Sequence, residues 1–153
     1  MPYEYNCTIK RIVDGDTVDV DIDLGFNIIL SGERVRIMGI DTPESRTSDP
    51  VEKIFGLASK KRLQELLGET AILKTEISPD GEDMKGKFGR ILGDFLTPDG
   101  QRVTEILINE GHAVRYHGQN KADVQIAHMA NRNLLMENGT VDKADVQKAQ
   151  EEK

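Results

Sequence analysis

Arg34-Val35-Arg36-Ile37-Met38-Gly39-Ile40-Asp41-Thr42-Pro43-Glu44 reads as a strand whose far end delivers charged groups to one place. Val35 and Ile37 alternate with Arg36 and Met38, so one face packs in a core while Arg36 projects from the other on a rigid element. Gly39 predicts a bulge or a close backbone approach. Pro43 biases Thr42 away from helical geometry, so the strand should end in an extended turn carrying Asp41 and Glu44. Taken alone, the stretch is equally well an Asx-type turn leading to a helix, with Arg36 solvated.

Upstream, Tyr3–Val13 and Thr17–Leu24 read as two strands and Ile28–Ile40 as a third, which makes a meander with one apolar face. Asp14-Gly15 between the first two is a hairpin signal that asks for positive φ at Gly15. Downstream, a polar loop leads to a helix ending at about Leu67, with Phe55, Ala58, Ser59, Leu63 and Leu66 on one side and Gly68 as its stop. Lys60-Lys61-Arg62 is most simply its solvated face. Thr70–Ile77 and Ile91–Leu96 read as a fourth and a fifth strand, joined by a polar loop at Pro79–Lys87 that is expected to be mobile. Helices are expected over Val103–Glu110 and Ala122–Glu137, ended by Gly111 and by Asn138-Gly139. Thr140–Lys153 is highly charged and poor in apolar anchors, and reads as a frayed helix or disordered. This order of strands and helices is α+β and suits a small closed barrel better than a parallel sheet.

The 153 residues, 37% of them hydrophobic, make one domain with a real core. Cys7, the single cysteine, excludes an internal disulfide and reads as a buried thiol in an alternating strand. The first residues show neither a basic region nor an apolar stretch, so no secretory signal is expected in the chain as given and cytoplasmic is the default. No run approaches membrane-spanning length. The net charge of −7 weighs against a nucleic-acid partner, because affinity for phosphates comes largely from Lys and Arg. The excess is local: residues 1–50 carry 5 basic and 10 acidic groups, while the rest is nearly balanced. Asp19, Asp21 and Asp23 alternate with apolar residues and read as a solvated row on one strand.

Four short motifs occur in order: Asp-Gly-Asp-Thr at 14–17, Arg-x-x-x-x-Asp-Thr-Pro-Glu at 36–44, Phe-Gly-Arg at 88–90 and Val-x-Glu-x-Leu-x-x-x-Gly-x-Ala at 103–113. In this combination the chain resembles the thermonuclease (staphylococcal nuclease-like) family over roughly residues 5–138. The resemblance implies an OB-fold-like five-stranded antiparallel β-barrel with three α-helices, a nuclease domain over residues 1–139 and a charged tail over 140–153. It also implies calcium-dependent cleavage of phosphodiester bonds in DNA or RNA, preferably single-stranded, leaving 3′-phosphates and 5′-hydroxyls.

Carried onto this sequence, the resemblance makes Asp16, Asp41 and the Thr42 carbonyl the ligands of Ca2+, a hard cation suited to oxygen donors. Glu44 matches the residue that orients or deprotonates the attacking water. Arg36 and Arg90 would bracket the phosphate and meet its developing charge with planar guanidinium forks. Lys85 and Lys87 are candidate backbone contacts. Phe88 stands where many relatives have Tyr, keeping the ring but losing a hydroxyl donor, and Tyr116 lies where an aromatic could stack on a base. His112, His117 and His128 show no ligand spacing and read as ordinary surface or packing residues. A monomer is expected. The competing readings are a catalytically inactive nucleic-acid-binding module and a protein-interaction OB-fold, either of which would tolerate loss of acid, base or arginine positions; all five are present.

Overall fold

The computed structural model describes residues 3–76 and 89–152. The expected loop at Pro79–Lys87, with Lys85, Lys87 and Phe88, lies outside the described residues. Strands β1 (Glu4–Asp14), β2 (Thr17–Asp23), β3 (Ile29–Ile37), β5 (Thr70–Thr75) and β6 (Ile91–Leu96) close into a barrel in the order β1-β2-β3-β6-β5. Strand β4 (Ile40–Asp41) pairs outside the barrel with β7 (Val114–Arg115). Among the described residues there are four helices: α1 (Pro50–Leu67), α2 (Val103–Asn109), α3 (Lys121–Glu137) and α4 (Lys143–Glu151).

Alternation sets the barrel. Val18, Val20, Val35, Ile37, Leu73 and Phe95 are fully buried and point inward, where each contributes about 1.5–3 kcal/mol by leaving water. Cys7 joins this core, and burial pushes its thiol up to about 12. The outward row is solvated as expected but compensated: Asp19 holds Arg34 at 2.8 Å, Asp21 holds Lys10 at 3.3 Å, and Asp23 accepts the Gly25 N–H at 2.8 Å.

Three features differ from expectation. The barrel is not wholly antiparallel, since β3 and β6 run parallel, Val35 opposite Ile91, and that pair closes it. Gly15 does not adopt positive φ. A Cβ there would stand 2.8 Å from Ser59 Cβ of α1 and 3.1 Å from Thr42 Cγ2, so the glycine answers to close packing of the hairpin against the helix. Gly39 is the reverse case: φ is +82° with nothing near its missing Cβ, so backbone conformation alone selects it.

The described residues also form four helices where three were expected. The fourth forms in the charged tail: Asp142 caps it by accepting the Ala144 N–H at 2.8 Å, while Val146 and Ala149 are buried beside Val141, Phe55 and Leu135. Spaced i, i+3, those two small apolar residues are enough to seat a short helix on α1. Helix α1 therefore has two buried faces, with Leu63 and Leu67 entering the barrel core and Val51 and Phe55 the second one.

Candidate active site

Strand register assembles the charged residues. Thr17 lies opposite Arg36 in the β2–β3 ladder, and the Ile37 N–H donates to the Asp16 carbonyl at 2.8 Å, so Asp16 sits beside the Arg36 side chain. Asp16 is nearly buried, and its carboxylate is fixed on both oxygens: Thr17 Oγ1 donates to Oδ1 at 2.9 Å and the Thr42 N–H to Oδ2 at 3.2 Å. Arg36 curls over the turn that follows β3, donating to the carbonyls of Ile37 at 2.6 Å and Ile40 at 2.8 Å. Its Nη2 lies 3.4 Å from Asp16 Oδ2 and 3.9 Å from Asp41 Oδ1. Two carboxylates thus converge on one cationic group.

The Glu44 segment is held from three sides. The Ser45 N–H donates to Asp14 Oδ1 at 3.1 Å, and Ser45 Oγ bonds the same oxygen, tying the segment to the first hairpin. The Glu44 N–H donates to Glu52 Oε2 at 3.1 Å in the first turn of α1. That turn is itself set by Asp49, which accepts from the Val51 and Glu52 N–H groups at 3.0 and 3.2 Å, with Pro50 at the first helical position. The third support is Gly56, where a Cβ would stand 2.2 Å from the Glu44 carbonyl oxygen; only a glycine lets the helix approach this closely.

Arg36, Asp41, Thr42, Glu44, Arg90 and Tyr116 line one open cleft of about 550 Å³, and Asp16 lies beneath them. All the described candidate residues therefore come together. Tyr116 is 44% exposed, and its N–H donates to the Gly39 carbonyl at 2.9 Å, which places the ring at the cleft rather than in a core.

The opposite wall is α3, and sequence reading missed it. His128 is not an ordinary packing residue: its Nε2 lies 2.7 Å from Asp41 Oδ2. Arg132, one turn on, also lines the cleft, with its guanidinium carbon 5.2 Å from the centre of the Phe55 ring. The i, i+4 spacing of His128 and Arg132 on an otherwise amphipathic helix was the available signal. Nothing in the chain pointed to Gly56. Its importance depends on which backbone crosses the helix there.

The donor set fits a hard divalent cation. Among the described residues no three His, Cys, Asp or Glu side chains form a cage. Asp16 and Asp41 instead offer two carboxylates facing one point that already stabilises positive charge, beside an open cleft. Next to them a buried hydroxyl, Thr42 Oγ1, has no hydrogen-bond partner among the described residues.

Comparison with known proteins places the chain in a family. Residues 34–137 match the family model described as staphylococcal nuclease homologue. The SPbeta prophage-derived endonuclease YokF of Bacillus subtilis (strain 168) is 32% identical over 143 residues, 88% of this chain and 45% of its own length. Endonuclease YncB of the same strain is 33% identical over 110 residues, 71% of this chain and 46% of its own. The thermonuclease of Staphylococcus intermedius is 34% identical over 85 residues, 55% of this chain and 44% of its own. The chain spans less than half the length of these curated relatives.

Proposed function

The chain belongs to the staphylococcal nuclease family, and from that premise we propose that it is a calcium-dependent nuclease that hydrolyses phosphodiester bonds in DNA or RNA, with single strands preferred. One observation supports the reading: the Asp16 and Asp41 carboxylates both face the Arg36 guanidinium, beside a cleft that Asp41 and Arg36 line together with Glu44 and Arg90. The endonuclease and thermonuclease names of the relatives support it.

Asp16, Asp41 and the Thr42 carbonyl would hold Ca2+, which when bound supplies a fixed positive charge to a phosphate oxygen. Glu44 orients a water on the phosphorus and accepts its proton; the water oxygen bonds to phosphorus as the bond to O5′ breaks, leaving a 3′-phosphate, and O5′ takes a proton from solvent water to give the 5′-hydroxyl while Glu44 returns its proton to solvent. Arg36 and Arg90 approach from the strand side and hold the phosphate oxygens while negative charge redistributes over them. Tyr116 offers a ring on which an unpaired base stacks, a contact that favours single strands. Lys85, Lys87 and Phe88 remain proposed substrate contacts.

Single-turnover cleavage of an end-labelled single strand tests this, with melting temperature followed in parallel. Wild type should cut only with calcium added, and calcium at 100 times Kd should stabilise the fold by about 2.7 kcal/mol. Asp41→Ala should lose both effects. Glu44→Gln should keep the calcium-induced stabilisation and slow cleavage by roughly 10²–10⁴, the contribution of a positioned base. Cleavage unaffected by chelation would sink the metal assignment, and a wild-type rate in Glu44→Gln would sink the base.

A further inference from the structure

The two carboxylates that converge beside Arg36 are held in different ways. Asp16 is locked by its own neighbourhood, with a hydroxyl on one oxygen and a backbone N–H on the other. Asp41 has no such support. It lies on a two-residue strand outside the barrel, paired only with β7, and its side chain is 36% exposed. Among the described residues, the one hydrogen bond to its carboxylate comes from His128, 87 positions further along the chain.

We propose that His128 is a positioning residue for Asp41: the imidazole holds Oδ2 so that Oδ1 stays directed at the point it shares with Asp16, and in this way it sets the affinity of the site for a divalent cation. This rests on the metal-dependent reading above. An ionised carboxylate can only accept, so Nε2 carries the proton and donates across the 2.7 Å. The imidazole is well placed to impose a geometry, since its side chain is only 10% exposed and it stands on a seventeen-residue helix. That helix is clamped one turn further on, where Asn131 Nδ2 donates to the Ala113 carbonyl at 3.2 Å, immediately before β7. Both strands of the small sheet that carries Asp41 are therefore referenced to α3. With Oδ2 engaged, Asp41 presents a single oxygen on the side of Arg36, whose Nη2 is 3.9 Å from Oδ1. A carboxylate released from the imidazole can rotate about its last bond and turn away, and a cation must then pay for ordering it. Outer partners of metal ligands typically contribute 10–100-fold in affinity by this means.

The test is calorimetric titration of calcium into the full chain, with single-turnover cleavage measured on the same samples across a calcium series. His128→Leu fills the buried site without a donor and should weaken calcium binding about 10–100-fold. Its cleavage should recover towards the wild-type rate at saturating calcium, because the defect is one of occupancy. His128→Gln, which can donate an N–H from a similar reach, should regain most of the affinity. Urea midpoints of the metal-free proteins separate this from simple destabilisation, and should His128→Leu fail to fold, His128→Ala takes its place. Calcium affinity in the donor-free variant equal to wild type overturns the proposal alone, as does His128→Gln binding no better than that variant. A wild-type protein that takes up no calcium overturns the proposal together with the function it rests on.

Discussion

At the scale of single residues, the site depends on an atom that is not there. Gly56 lies inside α1, where glycine costs about 1 kcal/mol relative to alanine, and the close approach of the Glu44 carbonyl is what that cost permits. Gly56→Ala should therefore not stabilise the helix but lower stability by about 1–3 kcal/mol through overpacking. It should also move the backbone of Glu44, the proposed base, where a displacement of about 1 Å is worth on the order of 10²-fold in rate. Urea unfolding and single-turnover cleavage of this variant check both parts; an alanine that raises stability and leaves cleavage intact would remove Gly56 from the site. The contrast with Asp16, Arg36, Asp41 and Glu44 explains what could be read from sequence. Those four lie within short motifs next to turns, and it is the ordered combination of motifs, through the family it resembles, that singles them out; the local chemistry alone suits a plain turn equally well. Gly56 and His128 matter only through what lies opposite them, and that partner is set by tertiary packing across 12 and 87 positions.

At the scale of elements, the strands were legible because apolar alternation has a period that nothing else mimics over seven to eleven residues. Helix α1 was legible from its breaker, Gly68 at φ +66°. Helix α4 was not, because only Val146 and Ala149 mark its apolar side, and two residues do not establish a period. Yet α4 packs on Phe55 and Val51 through the second core, and α1 in turn presents Glu52 and Gly56 to Glu44. The tail is thus linked to the site by one helix. Val146→Ala should cost about 2 kcal/mol for the two lost methyl groups and the space they leave, in a single transition with an unchanged denaturant slope. A shift of less than about 0.5 kcal/mol, the range of an exposed surface position, would show that α4 is not part of the cooperative unit.

Over the whole molecule, the surplus of acid is partly compensated where it is densest, because the outward carboxylates of β2 are engaged by Arg34, Lys10 and backbone N–H groups. A histidine remote from the cleft is expected to make stability depend on pH. His112 is 5% exposed, its backbone carbonyl accepts Ser59 Oγ at 2.8 Å, and its Nδ1 is buried with no hydrogen-bond partner among the described residues. Burial lowers its pKa; Glu110 and Glu65 pull the other way, and Arg62 adds to the lowering. A histidine lowered in the folded state binds its proton more readily when unfolded. Its contribution is therefore fully present above the unfolded value of about 6.5 and is lost as pH falls from there through the folded value. Unfolding free energy should accordingly be level from pH 8 to 7 and then decline, by at most about 1.4 kcal/mol per pH unit for one proton. His112→Gln removes the titration and should flatten the curve between pH 7 and 5.5, whatever it does to absolute stability. Urea midpoints across that range decide the matter: equal slopes in the two proteins would assign the acid sensitivity to other groups.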